Sequence, residues 1–244
     1  MKKFMIFALS ALFSIGCFSQ KPLLHYDFKK TDGKTVKNKY ESHYDGTLKG
    51  SASIKEVDGK KYAYLGYEQG YIDMGAEIGE SLKDMNEFTV AVKYLVEKNA
   101  SLNGNGYFLW AFSTLEQNTQ DKGLYHAYKL NVQRGENSIG GWSRETILEI
   151  GKPSEKGEWQ YVVYTQKGKE GRLFLNGRLV AYNNEMYTME STFSGKIPMF
   201  NWIGRAPFKG DAYLAGTWIG DVRVYNQALS DKGVRKLTSK VMGK

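Results

Sequence analysis

From Phe88 to Val96 the chain alternates. Phe88, Val90, Val92, Tyr94 and Val96 would share one face of an extended segment, with Thr89, Ala91, Lys93 and Leu95 on the other. A period of two is that of a strand with one side on a core. Aromatic and β-branched segments recur along the rest of the chain at Leu23–Phe28, Tyr62–Leu65, Tyr71–Met74, Tyr107–Ser113 and Tyr128–Gln133. They continue at Trp159–Gln166, Arg172–Leu175, Arg178–Tyr182, Phe200–Ile203 and Trp218–Tyr225. Many short strands at roughly even spacing predict an all-β sandwich or barrel.

Turn chemistry supports the pattern. Asn176–Gly177 separates two of these strands, and Asn-Gly suits a type I′ hairpin because both central residues need positive φ. Asp58–Gly59 and Asp45–Gly46 are weaker turn signals of the same kind. One short helix is predicted near the end, with Ser230 as N-cap and Val234 and Leu237 at helical spacing. No repeat, low-complexity tract or linker divides residues 21–244, which read as one domain.

The first twenty residues have a different character. Lys2 and Lys3 precede an apolar run from Phe4 to Ile15, followed by small residues at Gly16, Cys17 and Ser19. This is the layout of an export signal, and the apolar run is shorter than the roughly 20 residues of a membrane-spanning helix. Two processing sites compete: cleavage after Ser19, or lipid attachment at Cys17. The expectation is a protein secreted or held in the periplasm or cell envelope, with an outer-membrane lipoprotein as the alternative. Cys17 is the sole cysteine, so the domain has no internal disulfide and rests on its core.

The formal charge is +8, with the basic residues scattered as in Lys29–Lys30, Lys60–Lys61 and Lys167–Lys169, mostly beside turn signals. Such residues read as solvated loop tips. A nucleic-acid footprint would need a basic cluster on a helix or an aromatic sheet motif, and the sequence shows neither. A mild preference for acidic polysaccharides is compatible with this balance.

Four segments together resemble the laminin-G-like domains of secreted bacterial carbohydrate-active proteins. They are Leu24-His25-Tyr26-Asp27-Phe28 with Tyr44-Asp45-Gly46-Thr47-Leu48; Tyr71-Ile72-Asp73-Met74 with Phe88-Thr89-Val90-Ala91-Val92; Gly157-Glu158-Trp159-Gln160 with Gly171-Arg172-Leu173-Phe174-Leu175-Asn176-Gly177; and Trp202-Ile203-Gly204-Arg205 with Gly220-Asp221-Val222-Arg223. The resemblance implies a concanavalin A-like jelly roll of two antiparallel sheets, one curved to leave a concave face. It also implies functions that range over sugar binding, accessory roles beside glycosidases and protein binding, so the site must be argued separately. Relatives often hold a structural calcium ion, which would place Asp27 and Asp221 as ligands; the alternative is that both serve the backbone as hydrogen-bond acceptors. The family's paired Asp is here Gly220–Asp221, which removes one ligand.

Catalytic equipment is thin. Retaining glycosidases on this sandwich carry a Glu-x-Asp-x-x-Glu run that sets two carboxylates on one face. Glu56-Val57-Asp58 begins such a run, but Gly59, Lys60 and Lys61 follow and no second Glu arrives. A polysaccharide lyase would draw on Tyr125, His126, Arg134 or Arg144, without the longer lyase motifs, and Glu145 is a further acid/base candidate. No nucleophile elbow is present.

Sugars offer an apolar C–H face and a rim of hydroxyls, so their sites combine flat rings with planar polar groups. Trp159 and Trp218 read as core residues. The ligand-binding candidates are Trp110 and Trp142, with Arg144 beside the latter, and Trp202 with Arg205 at the sandwich rim. Trp110 and Trp142 are either sugar platforms or packing residues under long loops. The expected role is non-catalytic carbohydrate binding, against a glycan-cleaving enzyme or a cell-surface protein-binding domain.

Overall fold

The structure is a computed structural model that describes residues 21–102, 107–114, 122–127, 131–138, 141–149, 155–193, 195–208 and 210–243. Between 122 and 149 it describes backbone, and of the side chains only that of Leu148. The export signal and Cys17 lie outside the described residues. In chain order the first strands are β1 (Leu24–Tyr26), β2 (Thr31–Asp32), β3 (Thr35–Val36), β4 (Gly46–Lys49), β5 (Ser53–Val57), β6 (Lys60–Tyr64) and β7 (Tyr71–Asp73). Helix α1 (Glu77–Leu82) leads into β8 (Glu87–Val96), β9 (Phe108–Ser113), β10 (Lys122–Ala127), β11 (Asn131–Ser138) and β12 (Gly141–Glu149). Then come β13 (Gln160–Lys167), β14 (Glu170–Leu175), β15 (Arg178–Asn183), α2 (Met189–Phe193), β16 (Phe200–Ile203), β17 (Thr217–Tyr225) and α3 (Asp231–Met242).

Among the described residues these strands form two antiparallel sheets. One has eight strands in the order β15-β14-β13-β8-β17-β6-β5, with β1 also paired to β17; the other has nine, in the order β12-β11-β10-β9-β16-β7-β4-β3-β2. The alternation in β8 carries through: Phe88, Val90, Val92, Tyr94 and Val96 are buried in the core between the sheets. They meet Leu24, Tyr26, Val162, Tyr164, Ile219, Val222 and Val224 from neighbouring strands and Ile72, Trp110, Phe112 and Ile203 from the opposite sheet. Asn176 and Gly177 both have positive φ, 50° and 81°, as the β14–β15 hairpin turn requires. Asp58 and Gly59 do the same, at 50° and 70°, between β5 and β6.

Asp45–Gly46 is not a turn. Asp45 is extended, with φ −62° and ψ 139°, and Gly46 opens β4. Glycine is required there by contact: a Cβ at Gly46 would sit 2.7 Å from the Tyr26 hydroxyl. Two strands also depart from expectation. β10 and β12 carry no clean apolar alternation, and β12 takes in Trp142, which the sequence places as either a sugar platform or a packing residue under long loops.

Helix α3 forms as predicted. The Ser230 hydroxyl accepts from the Gly233 amide at 3.2 Å, and Gly243 closes the helix in the left-handed region. Its apolar stripe, Val234 and Leu237, lies on Ala91, Tyr161, Val163, Phe174 and Tyr225, the outer side of the eight-stranded sheet. The helix covers only part of that side, and what it leaves open becomes the site.

Candidate functional site

A bulge in β17 builds this surface. Ile219 pairs with Tyr94 and Asp221 with Lys93, so Gly220 is the extra residue between them. A bulge reverses the parity of a strand. Trp218, which pairs with Leu95, and Asp221 therefore share the outer face, although they are three residues apart. Beyond the bulge Asp221, Arg223 and Tyr225 alternate with the core residues Val222 and Val224. On β1, His25 lies between the core residues Leu24 and Tyr26 and pairs with Arg223.

These three polar residues form a buried network. Arg223 donates to both oxygens of Asp221, from Nε at 2.7 Å and Nη2 at 2.9 Å, and His25 Nε2 lies 2.9 Å from Asp221 Oδ2. An ionised carboxylate only accepts, so His25 carries its proton on Nε2. Burial alone would push the Asp221 carboxyl up; the hydrogen bonds from His25 and Arg223, with the Arg223 charge, more than offset it and hold the pKa below the usual carboxylate value. Burial likewise disfavours the Arg223 charge, but its bonds and attraction to Asp221 dominate and raise its pKa.

The network floors a cleft of about 590 Å³ whose walls come from β1, the β5–β6 hairpin, β8, β17 and the end of α3. Seven cationic side chains line it against two carboxylates, Asp27 and Asp221. Lys93 donates to the Val241 carbonyl at 3.2 Å and lies 5.0 Å over the Trp159 ring. Burial pulls the Lys93 ammonium below its ordinary pKa; Asp221 opposes this and Lys60 adds to it.

Aromatic rings continue the same face. Tyr62 and Tyr64 alternate with the core residue Ala63 on β6. Tyr62 stacks on Trp159 at 5.0 Å and 28°, and meets Trp218 edge-on at 6.4 Å. Tyr64 lies 4.6 Å from Trp218. Glu97 ties the far end together, accepting from Trp218 Nε1 at 3.0 Å, Tyr67 at 2.6 Å and Tyr64 at 3.3 Å. Its bond to Glu97 pushes the Tyr67 phenol up to about 12. Tyr67 is 51% exposed, and Tyr62, Tyr64, Trp159 and Trp218 are partly exposed. Gly220 permits the stack, because a Cβ there would lie 3.2 Å from both the Trp159 ring and the Lys93 chain.

The residues singled out in the sequence are dispersed. Trp110 is fully buried between the sheets, against Phe112 and Tyr164, which corrects its assignment to the ligand surface. The register between β9 and β10 slips beside it, pairing His126 with Trp110 and Ala127 with Phe108, and both Leu109 and Trp110 enter the core. Trp202 and Arg205 do come together: the guanidinium lies 3.9 Å over the Trp202 ring and donates to the Tyr71 hydroxyl at 3.2 Å. Arg205 covers that ring, and Trp202 is only 3% exposed, so the indole is not open as a sugar platform.

Trp142 pairs with Asn137 on β12, and Arg144 and Glu145 fall where the β11–β12 register shifts, opposite Gly135. β12 is four strands from β16 in the sheet, about 19 Å at the usual strand spacing, so Trp142 and Arg144 do not join Trp202 and Arg205. Tyr125 pairs with Ala111 and Gln133 on β10; the side chains of Tyr125, His126, Trp142, Arg144 and Glu145 lie outside the described residues.

Asp27 and Asp221, the calcium ligands that the resemblance suggests, line the same cleft, but they do not fit a calcium ion. Both Asp221 oxygens accept from Arg223 or His25. Asp27 accepts from the Lys29 amide at 3.2 Å and pairs with Lys39 at 3.4 Å. Calcium takes six to eight oxygen ligands, and among the described residues no three His, Cys, Asp or Glu side chains converge. The surrounding lysines would repel a cation.

A family model described as the concanavalin A-like lectin/glucanases superfamily matches residues 69–235. No curated protein matches the sequence. In structure the chain is similar to domain 4 of AbnA, a GH43 extracellular arabinanase from Geobacillus stearothermophilus, solved in complex with arabinotriose. The TM-score is 0.66 at 15% identity, over 89% of this chain and 98% of that one. It is also similar to the binding domain of botulinum neurotoxin DC in complex with SialylT, with TM-score 0.62 at 12% identity over 91% of this chain and 52% of that one. A mutant Trypanosoma rangeli sialidase displaying trans-sialidase activity gives 0.59 at 15% identity, over 89% and 33%. At these identities the likeness is one of fold.

Proposed function

The chain belongs to the concanavalin A-like lectin/glucanase superfamily, and from that premise we propose that it is a non-catalytic carbohydrate-binding domain working outside the cytoplasm. One observation carries the reading: the strip of Tyr62, Trp159, Trp218 and Tyr64 lies partly open on a sheet face, with the Glu97 carboxylate at one end and a polar cleft at the other. Rings of this kind take the C–H face of a sugar, and the fixed polar groups beside them take its hydroxyls. The arabinotriose held by the AbnA domain and the sugar named with the toxin domain support the class of ligand. Among the described residues no helix is long and apolar enough to cross a membrane, and the charged, then apolar, first residues support export.

The test is a glycan-array screen of the purified protein followed by calorimetry on each hit. The expected result is specific binding that Trp159→Ala and Trp218→Ala each weaken about tenfold or more, as loss of a stacking ring does, with the glycan unchanged in length. A ligand that shortens during the experiment would establish the enzymatic alternative instead. Silence on glycans together with stoichiometric capture of a protein would establish the adhesive one.

A further inference from the structure

We infer that the cleft beside the aromatic strip is an anion-binding subsite, and that the glycan held by this face is an acidic polysaccharide whose carboxylate or sulfate groups enter the cleft. The inference rests on the carbohydrate-binding reading and names its ligand class.

Three observations carry it. The first is the distribution of ion pairs. Some cations elsewhere are paired, as Lys167 is with Glu87 and Arg172 with Glu170 and Asp231, and others, such as Lys55 and Lys232, stand singly on the surface among the described residues; the cleft differs in gathering several in one space. In the cleft, Lys29, Lys60, Lys61 and Lys240 have no carboxylate within 4.0 Å among the described residues, while the two acids present already serve Arg223, His25 and Lys39. Five positive charges are left over in a space of about 590 Å³, a volume within the usual range of ligand sites. Like charges so gathered repel one another, and an anion that replaces their water relieves the repulsion.

The second is preorganisation. Arg223 is held from below by Asp221, and Lys93 is fixed between the Val241 carbonyl and the Trp159 ring. Lys93 therefore meets the ligand with little freedom left to lose, above a floor fixed by the Arg223–Asp221 pair. Lys93 and Tyr62 belong both to the cleft and to the aromatic contacts, so a ring stacked on the strip has its substituents directed at the cationic floor. The third is extent. A second hollow of about 310 Å³ shares Asp27, Lys29 and Lys39 with the cleft and adds Lys30 and Lys37. A track of lysines that runs on past one cavity suits a polymer with repeated charges better than a single small anion.

The experiment is calorimetry on the full protein with dextran and dextran sulfate, a pair differing only in charge, and with polygalacturonate for the carboxylate form. Inorganic polyphosphate serves as an anion without sugar. Lys60 and Lys61 are exposed on a hairpin, so Lys60→Ala with Lys61→Ala leaves the fold intact, which a melting curve verifies. The expected result is that polygalacturonate or dextran sulfate binds at least tenfold more tightly than dextran, and that the double variant loses about tenfold. The affinity should fall as salt rises from about 50 to 300 mM, as screening requires; which of the two binds identifies the acid. Trp218→Ala, which leaves the contact of Lys93 with the Trp159 ring in place, should weaken the acidic glycan but leave polyphosphate unaffected. Equal affinity for a neutral glycan, unchanged in the double variant, would overturn the inference and leave carbohydrate binding standing. Polyphosphate or nucleic acid bound as tightly as the acidic glycan would overturn it in favour of a general polyanion surface. No glycan bound at all would overturn both readings.

Discussion

Asp221 is the residue on which the outer face depends. It satisfies a guanidinium that is itself buried, so Asp221→Asn leaves Arg223 without its counter-charge in a place water reaches poorly. Breaking a buried pair in this way costs about 3–5 kcal/mol. The pH dependence follows from the direction of its shift. The folded carboxyl has a pKa below that of the unfolded chain, where Asp titrates near 3.9. The unfolded state therefore binds the proton more readily, and the pair's stabilisation is fully present above about pH 4 and lost as pH falls through the lower, folded value. Thermal melting between about pH 2.5 and 6 should show this loss in the wild type, and a smaller slope in Asp221→Asn. Trp110 makes the opposite kind of contribution. Its truncation to Ala removes a large ring from the core at about 3–5 kcal/mol, visible in denaturant unfolding, while glycan affinity at a temperature where the variant stays folded is unchanged.

At the scale of elements, the β17 bulge sets the site. A Cβ at Gly220 would press on both Trp159 and Lys93, each of which must give by a few tenths of an ångström. Gly220→Ala should therefore shift the tryptophan fluorescence and weaken ligand binding several-fold at a temperature where the variant remains folded. Equal binding with an altered melting point would show that the bulge serves the fold alone. The bulge also explains what the sequence left hidden. β8, the Asn176–Gly177 hairpin and α3 were legible because alternation, turn chemistry and capping all act within a few residues. The face of Trp218 is ambiguous in the sequence, since Ile219, Val222 and Val224 give no single parity across Gly220; a glycine at a break in alternation is the signal that marks the bulge. Trp159 stands in the segment Gly157-Glu158-Trp159-Gln160, which resembles a family strand and so points to the core, whereas its ring meets Tyr62 outside the sheet. β9 is apolar at nearly every position, so its faces could be assigned only by the partner strands. Lys29 and Lys60 look like solvated loop tips in the sequence because they are far apart there from each other and from Lys93 and Lys240, and the topology gathers all four.

For the whole molecule, this gathering means that its stability depends on which anions surround it. The sole cysteine is outside the described residues, and one cysteine cannot form an internal disulfide, so reductant should leave the melting temperature unchanged. Charge within the cleft acts differently. Its lysines repel in the folded state and separate on unfolding, so an anion that enters the cleft binds the folded form and raises the melting temperature by mass action. Sulfate also stabilises proteins generally, by exclusion from their surfaces, and the two effects must be separated. The separation comes from Lys60→Ala with Lys61→Ala, which lowers the repulsion and removes two of the cations that would hold the anion. In chloride at low ionic strength the double variant should melt at or above the wild-type temperature, because relief of repulsion outweighs the loss of two exposed side chains. Added polygalacturonate should raise the wild-type melting temperature in a concentration-dependent way and move the variant much less, while sulfate's general effect appears in both. If polygalacturonate shifted the two proteins equally, the charges of the cleft would be ordinary solvated surface, and the protein's ligand would have to be sought along the aromatic strip alone.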